Sequence, residues 1–281
     1  MGYGGPVPGD PERPASARVY SYLLDQRDWY PADRDLATRL EAIYPGLKKM
    51  AKSNQAYLGH AVLWASARLG IRQYLDLGSG FPAASSVRDI AQAADPDALV
   101  ACVDYDPIVA GPCGYGPVLA ELGVKNVSLL LRDIRDIDEV LAAPEVGGLL
   151  DFTEPVMVVL GLVLTHMGVE DAEKVVKAYS GILTPGSAVA VTVTCTPDQD
   201  AAGHLVETWR HGSGTQARNY TPAELEALFD GLDVQPPGIG PIAGRRPGWK
   251  DARAETQGAS YVIGGIAIKP LPQRQNKRPA R

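Results

Sequence analysis

The chain is short of basic charge, of cysteine and of long apolar runs, and each shortage removes a class of protein. Its 27 lysines and arginines are outnumbered by 33 aspartates and glutamates, for a net charge of -6. A phosphate backbone needs a basic face, so nucleic acid is not the expected partner. Three cysteines (Cys102, Cys113, Cys195) are an odd number and fall in or beside predicted strands. They speak against a disulfide framework and for a reducing, cytoplasmic setting. The longest apolar run, Val156 to Leu164, is about half of what a membrane span requires. No charged-then-apolar signal peptide opens the chain. His204 and His211 flank Trp209-Arg210 without a carboxylate or cysteine cluster, so no metal site is expected. There is no P-loop and no Ser-His-Asp signature. The expected partners are a small-molecule substrate and a second copy of the chain in a homodimer.

What is present is a globular core and an alternation of elements. Hydrophobic residues make up 45% of 281 positions, enough for one large domain with an appendage. Residues 1–15, rich in Gly and Pro, read as a disordered leader. From Ser16 the pattern turns helical, with Val19, Tyr20, Leu23 and Leu24 on one face and Ser16 as N-cap. A second helix starts at Pro31 or Asp33, and a third runs from about Leu47 to Leu69, completing a helical cap over residues 16–70. Strands then read at Ile71–Leu77, Leu99–Val103, Val127–Leu131, Pro155–Leu160 and Ala188–Cys195, with a helix over Asp171–Leu183. Thr221-Pro222-Ala223-Glu224 opens another helix with a capping box. A weak strand begins at Val234 and a clear one spans Tyr261–Ile268, with no helix between them. The alternation predicts a Rossmann-like, mostly parallel seven-stranded sheet over 71–268 that ends in an antiparallel hairpin. Residues 269–281 read as a mobile basic tail.

The first strand ends in Asp76-Leu77-Gly78-Ser79-Gly80, where two glycines let the backbone turn tightly beneath a ligand. The second run ends at Asp104, well placed to hold both hydroxyls of a ribose. Together they predict a nucleoside-binding half-domain. Gly78-x-Gly80-x-x-Ala83 also satisfies the dinucleotide fingerprint, so NAD has to be weighed. Asp76, just before the first glycine, would repel a pyrophosphate and welcome a cationic amino-acid ligand. The motif also follows a long helical prelude, whereas dinucleotide domains often open a chain.

The string around Gly78 resembles the first motif of S-adenosylmethionine-dependent methyltransferases. A wider resemblance covers residues 16–268. It is carried by Ala17-Arg18-Val19-Tyr20-Ser21-Tyr22-Leu23-Leu24, Asp28-x-Tyr30-Pro31-Ala32-Asp33-Arg34, Asn54-Gln55-Ala56-Tyr57-Leu58-Gly59, Val103-Asp104-Tyr105-Asp106-Pro107 and Phe229-Asp230-Gly231-Leu232. These look like the actinobacterial S-adenosyl methyltransferase family, once a domain of unknown function. The resemblance implies a class I methyltransferase fold, S-adenosylmethionine as cofactor, and a transferase of the kind used in secondary metabolism. Two departures stand out. Asp25-Gln26-Arg27-Asp28-Trp29 replaces a Gly-Gly-Lys-Asp-Asn-like run, and Gly111-Pro112-Cys113-Gly114-Tyr115-Gly116-Pro117 interrupts a usual alanine-rich helix. They point to a specialised acceptor or to none.

Roles follow from that resemblance. Gly78, Ser79 and Gly80 would meet the methionine part of the cofactor, Asp76 its ammonium and Asp104 its ribose. Tyr105 would flank adenine, and Asp133, with Ile134, would meet the adenine amino group. Leu160 and Gly161 would line the methyl side. His166, on the loop after the fourth strand, is the candidate general base, with Asp28 and Tyr30 as further catalytic candidates. Tyr20, Tyr22, Trp29, Asn54 and Tyr57 are lid candidates, since aromatic faces attract a sulfonium and exclude water. The expected activity is methyl transfer to a small acceptor. The alternatives are a cyclase or lyase that releases methylthioadenosine and a non-catalytic cofactor-sensing module.

Overall fold

Helix-forming, amphipathic sequence fills the chain up to Gly70, and the computed structural model folds it as α1 (Ser16–Leu23), α2 (Pro31–Ile43) and α3 (Leu47–Trp64). The structure describes residues 10–82, 85–111, 115, 126–247 and 261–271. Ala83, Cys113, most of the break at 111–117, and the outer parts of the expected leader and tail lie outside these residues. Residues 10–15 are held in place. The Asp10 carbonyl accepts from Arg18 Nη2 at 3.1 Å, and Ala15 N–H donates to Asp33 Oδ1 at 3.0 Å. Arg18 and Asp33 form a buried ion pair at 2.9 Å that pins α1 to α2. Ser16 is not the N-cap expected of it. Ala15 takes that place, and the Ser16 side chain instead interacts with the Tyr105 phenol. A π-helical turn, Ala65–Leu69, closes α3, and Gly70 stops it in the left-handed region at φ 68°.

The sheet contains β1 (Gln73–Leu77), β2 (Leu99–Asp104), β3 (Val127–Leu131), β4 (Val156–Gly161), β5 (Ala188–Thr194), β6 (Asp233–Val234), β7 (Gly240–Pro241) and β8 (Val262–Ile268). Its order is β3-β2-β1-β4-β5-β8-β6, with β7 also on β8. The first five strands are parallel, and β8 runs antiparallel to β5, β6 and β7. Eight strands are therefore seen among the described residues, where seven were expected. The addition is β7, a Gly-Pro pair too short to leave a periodic signal. Chain order reverses direction at β1, which lies between β2 and β4, so the ligand crevice of this topology falls at the carboxyl end of β1.

Both faces of the sheet are covered, which explains the unbroken apolar runs of its strands. One face buries Leu75, Leu77, Val103, Val158 and Leu160, and the other buries Tyr74, Val100, Cys102, Met157 and Val159. The helices after β1 are α4 (Val87–Ala94), α5 (Ile137–Ala142), α6 (Pro144–Gly147), α7 (Val169–Gly181), α8 (Gln199–Ser213) and α9 (Pro222–Ala227). Thr221 caps α9 with the expected reciprocal bonds to Glu224. Helix α8 leaves the sheet and joins the cap. Its Trp209 is buried with Val19, Leu23, Leu36 and Leu40, and Gly212 allows the approach, since a Cβ there would lie 2.5 Å from Leu36 Cδ1. No helix among the described residues is long and apolar enough to cross a membrane.

Candidate active site

The turn after β1 is built by two glycines with different jobs. Gly78 (φ 77°) and Gly80 (φ 63°) both occupy the left-handed region that side chains disfavour. The backbone N–H groups of Gly78 and Ser79 donate to the Val103 carbonyl at 2.8 and 3.2 Å, extending the ladder to β2. A Cβ on Gly78 would fall 2.5 Å from Val163 Cγ2, so the protein itself fills that side. A Cβ on Gly80 would meet nothing within 4 Å among the described residues, which leaves its face open to a ligand.

The carboxyl ends of β1 and β2 present two buried carboxyl groups. Asp104 accepts from Gly80 N–H through Oδ2 and from Asp106 N–H through Oδ1, both at 2.9 Å. Burial still pushes its pKa up to about 6. Asp76 makes no side-chain hydrogen bond among the described residues, and burial followed by the nearby Asp104 charge pushes it up to about 7. Ser79 Oγ is buried without a hydrogen-bond partner. Asp76 and Asp104, with no ion pair to either among the described residues, the unpartnered Ser79 hydroxyl and the open glycine face fit a nucleoside carrying a cationic amino-acid arm.

The residues expected to meet adenine are more occupied than the sequence suggests. Asp133 is held by Arg135, with bonds of 2.5–3.1 Å from Nε and Nη2. Burial opposes its ionisation, but the Arg135 bonds outweigh it and keep the pKa below the usual carboxylate range. The Arg135 backbone N–H also donates to Asp133 Oδ1 at 2.9 Å, so each carboxylate oxygen already receives two N–H contacts from Arg135. Ile134 is buried and its carbonyl accepts from Tyr179 Oη at 2.9 Å. Tyr105 is 54% exposed, so its ring face is accessible.

Beyond β4 the backbone is strained. Leu160 is buried, and Gly161 lies so close to α3 that a Cβ would stand 2.6 Å from Leu58 Cδ1. Leu162 then adopts φ 60°, uncommon for a leucine, and is pinned by its N–H to the Thr192 carbonyl at 3.0 Å. The turn Val163–His166 follows. His166 Nδ1 lies 3.3 Å from the Gln216 carbonyl, and its ring stacks 5.0 Å from Trp209 of α8. A carbonyl only accepts, so Nδ1 carries the proton and Nε2 keeps a free lone pair. Burial lowers the His166 pKa, which keeps the ring neutral near pH 7.

The remaining candidates lie in the cap. Tyr20 Oη donates to the Ala51 carbonyl at 3.0 Å and accepts from Asn54 Nδ2 at 2.9 Å, and burial pushes the phenol up to about 12. Asn54 Oδ1 is buried without a partner. Tyr22 packs edge-on against Trp29 and beneath Lys48, whose ammonium also meets Asp25 at 2.7 Å. Tyr30 sits at the start of α2 under the Arg18 guanidinium, 5.0 Å from its ring centre, and Asp28 stands between α1 and α2. Thus Asp76, Gly80 and Asp104 form one constellation, and His166 belongs to the joint between core and cap. The sequence reading missed Leu162, Val163 and Trp209. Only Trp209 left a trace, as an isolated aromatic between histidines.

Comparisons with known proteins agree with this geometry. A family model described as S-adenosyl methyltransferase matches residues 7–270. A solved structure described as a candidate methyltransferase from Thermobifida fusca YX is 31% identical over 92% of this chain and 96% of that one, with TM-score 0.84. A DUF574-family protein from Streptomyces avermitilis MA-4680 is 28% identical over 93% and 99%, with TM-score 0.83. Magnesium protoporphyrin IX methyltransferase from Synechocystis PCC 6803, solved with S-adenosylmethionine bound, is 14% identical over 89% of each chain, with TM-score 0.51, and shares the fold. No curated protein matches the chain.

Proposed function

Since the chain belongs to the S-adenosyl methyltransferase family, we propose that it methylates a small-molecule acceptor held between the sheet edge and the helical cap. The observation that carries the cofactor half of this reading is the Asp76–Asp104 pair, buried and short of positive charge. S-adenosylmethionine supplies an electrophilic methyl on a sulfonium, which an acceptor displaces in line.

The chain's own residues have four tasks. Asp104, oriented by Gly80 and Asp106, accepts hydrogen bonds from the ribose hydroxyls, while Asp76 faces the ammonium. Tyr105 flanks the adenine and Asp133 accepts from its amine. Leu160, Gly161 and the strained Leu162 shape the methyl side. His166 Nε2 takes the proton of a hydroxyl or amine acceptor as the new bond forms, with Asp28 as the second candidate for that role. Alignment of nucleophile and methyl supplies much of the rate. Residues 16–70 and α8 act together as the cap and exclude water, with Tyr20, Tyr22, Trp29, Tyr30, Asn54 and Tyr57 as its lid candidates. The acidic chain, with its net charge of -6, suits a small acceptor better than a nucleic acid.

The test is to incubate the protein with S-adenosylmethionine and candidate acceptors and to identify the nucleoside product by mass spectrometry. Acceptor-dependent adenosylhomocysteine supports the proposal. Methylthioadenosine without an acceptor would replace it with intramolecular cyclisation or lysis, and binding without turnover would make the protein a sensor.

A further inference from the structure

Beside the residues that follow β4 stand two donors, the Tyr57 hydroxyl and Arg245 Nε, that have no hydrogen-bond acceptor among the described residues. Tyr57, on α3, is 2% exposed, and its hydroxyl makes no hydrogen bond among the described residues. It packs with Ile242 and Val262 against Met50, Leu58 and Leu162. Leu58 rests on Gly161, and Leu162 directly follows β4, so this apolar cluster abuts the methyl side.

Arg245 closes the cluster from the segment after β7. Its N–H donates to the Ile242 carbonyl at 3.0 Å, and its Nη1 reaches the Gly238 carbonyl at 3.3 Å. The guanidinium lies against Gly240, where a Cβ would stand 2.8 Å from Nη1. Its Nε is buried with no hydrogen-bond partner, and no ion pair to a carboxylate forms among the described residues. Its charge acts on the Tyr57 phenol. His60, the nearest titratable group on the same helix, is held neutral by burial and then by the Arg246 charge. Buried donors left without an acceptor cost free energy, more so when one is charged. A guanidinium N–H and a phenol O–H beside an aliphatic surface are complementary to a carboxylate on an apolar body.

We propose that the methyl acceptor is a hydrophobic carboxylic acid whose carboxylate is held by Arg245 Nε and Tyr57 Oη, with its apolar body against Ile242 and Leu162. This rests on the methyltransferase reading above and adds the chemical class of the acceptor. Arg245 and Tyr57 are specificity-determining residues, placed at the anchoring end of the acceptor and away from the reacting atom.

The experiment uses the full chain saturated with adenosylhomocysteine and titrates benzoate, indole-3-acetate and octanoate, each against its primary amide. The acids bind roughly tenfold more tightly than the amides in the native protein, as a charge-assisted bond requires. Arg245→Gln erases the preference, Arg245→Lys keeps part of it, and Tyr57→Phe weakens the acids but not the amides. Affinity for adenosylhomocysteine stays within about twofold throughout, because neither residue belongs to the nucleoside constellation. If Arg245→Gln fails to fold, the Arg245→Lys and Tyr57→Phe comparison decides. Acids and amides binding alike, or a preference that survives Arg245→Gln, would overturn this inference alone. A native protein that ignores adenosylhomocysteine would bring down the cofactor reading first, and this one with it.

Discussion

Gly80 and Asp104 are fastened to each other across the carboxyl edge of the sheet, the glycine N–H donating to the carboxylate at 2.9 Å. The bond aims a buried carboxylate and an open backbone turn at the same space. Gly80→Ala therefore folds, at a cost of about 1–2 kcal/mol for a left-handed alanine, but places a methyl group where the ligand sits. The expected result is at least a tenfold loss of S-adenosylmethionine affinity by calorimetry. Gly78→Ala meets Val163 instead and loses more stability, which Val163→Ala partly restores in thermal melts.

The same carboxylates give cofactor binding a pH dependence. Asp76, raised to about 7, must ionise to receive the ammonium, and Asp104, raised to about 6, must ionise to accept from both ribose hydroxyls. Affinity therefore rises between pH 5.5 and pH 8, by up to roughly tenfold per pH unit for each proton released, and levels off above. Titrations in buffers of different ionisation enthalpy would reveal the released protons. A flat or falling affinity would contradict the assignment.

Stability runs the other way. The Asp76 pKa lies above its ordinary 3.8 in the folded protein, so between about pH 4 and pH 7 the native state binds more protons than the unfolded chain. The ligand-free protein loses stability as pH rises through that window. Asp76→Asn removes this part of the slope and stabilises the ligand-free protein at pH 8 by roughly 2–4 kcal/mol. The same change weakens the cofactor. Chemical denaturation at pH 5 and pH 8 checks both signs.

His166 separates chemistry from architecture. His166→Gln should leave adenosylhomocysteine binding intact and lower kcat by about a hundredfold or more. The acid limb of the native pH–rate profile should lie below 6.5, the ordinary histidine value, because burial disfavours the imidazolium. If the ring only braces Trp209, the melting temperature falls and kcat does not.

Arg18 and Asp33 test the cap. Both are buried, so Arg18→Met strands an uncompensated carboxylate and costs about 3–5 kcal/mol in denaturant unfolding. Combining it with Asp33→Leu recovers part of that loss by removing the orphan charge.

The residues proposed to hold the nucleoside were legible mostly from local signals. The Gly78–Gly80 spacing, the apolar strands and the carboxylate at the end of β2 are all written within short windows, and the structure brings Asp76, Gly80 and Asp104 together. What could not be read depends on distant partners. Trp209 is a cap residue only because Leu36 and Val19, far earlier in the chain, leave a socket for it. Ser16 looks like a helix cap until Tyr105 draws its side chain away. Leu162 takes a left-handed conformation because Thr192 pins its N–H, and no residue type announces that. Arg245 carried no signal in the sequence, and Tyr57, read there only as a lid candidate, has its surroundings set by Ile242 and Val262, far later in the chain.

Helix α8 has a consequence for how the molecule is made. The cap opens at Ser16, yet its socket is filled by Trp209 with Leu205 and Ala217, so the first helices leave the ribosome with an oily face bare. They wait for almost the whole parallel sheet to be synthesised before that face is sealed. A nascent chain stalled short of residue 209 should therefore recruit chaperones and resist native-like protease protection at its amino end, while one extended past residue 213 should not.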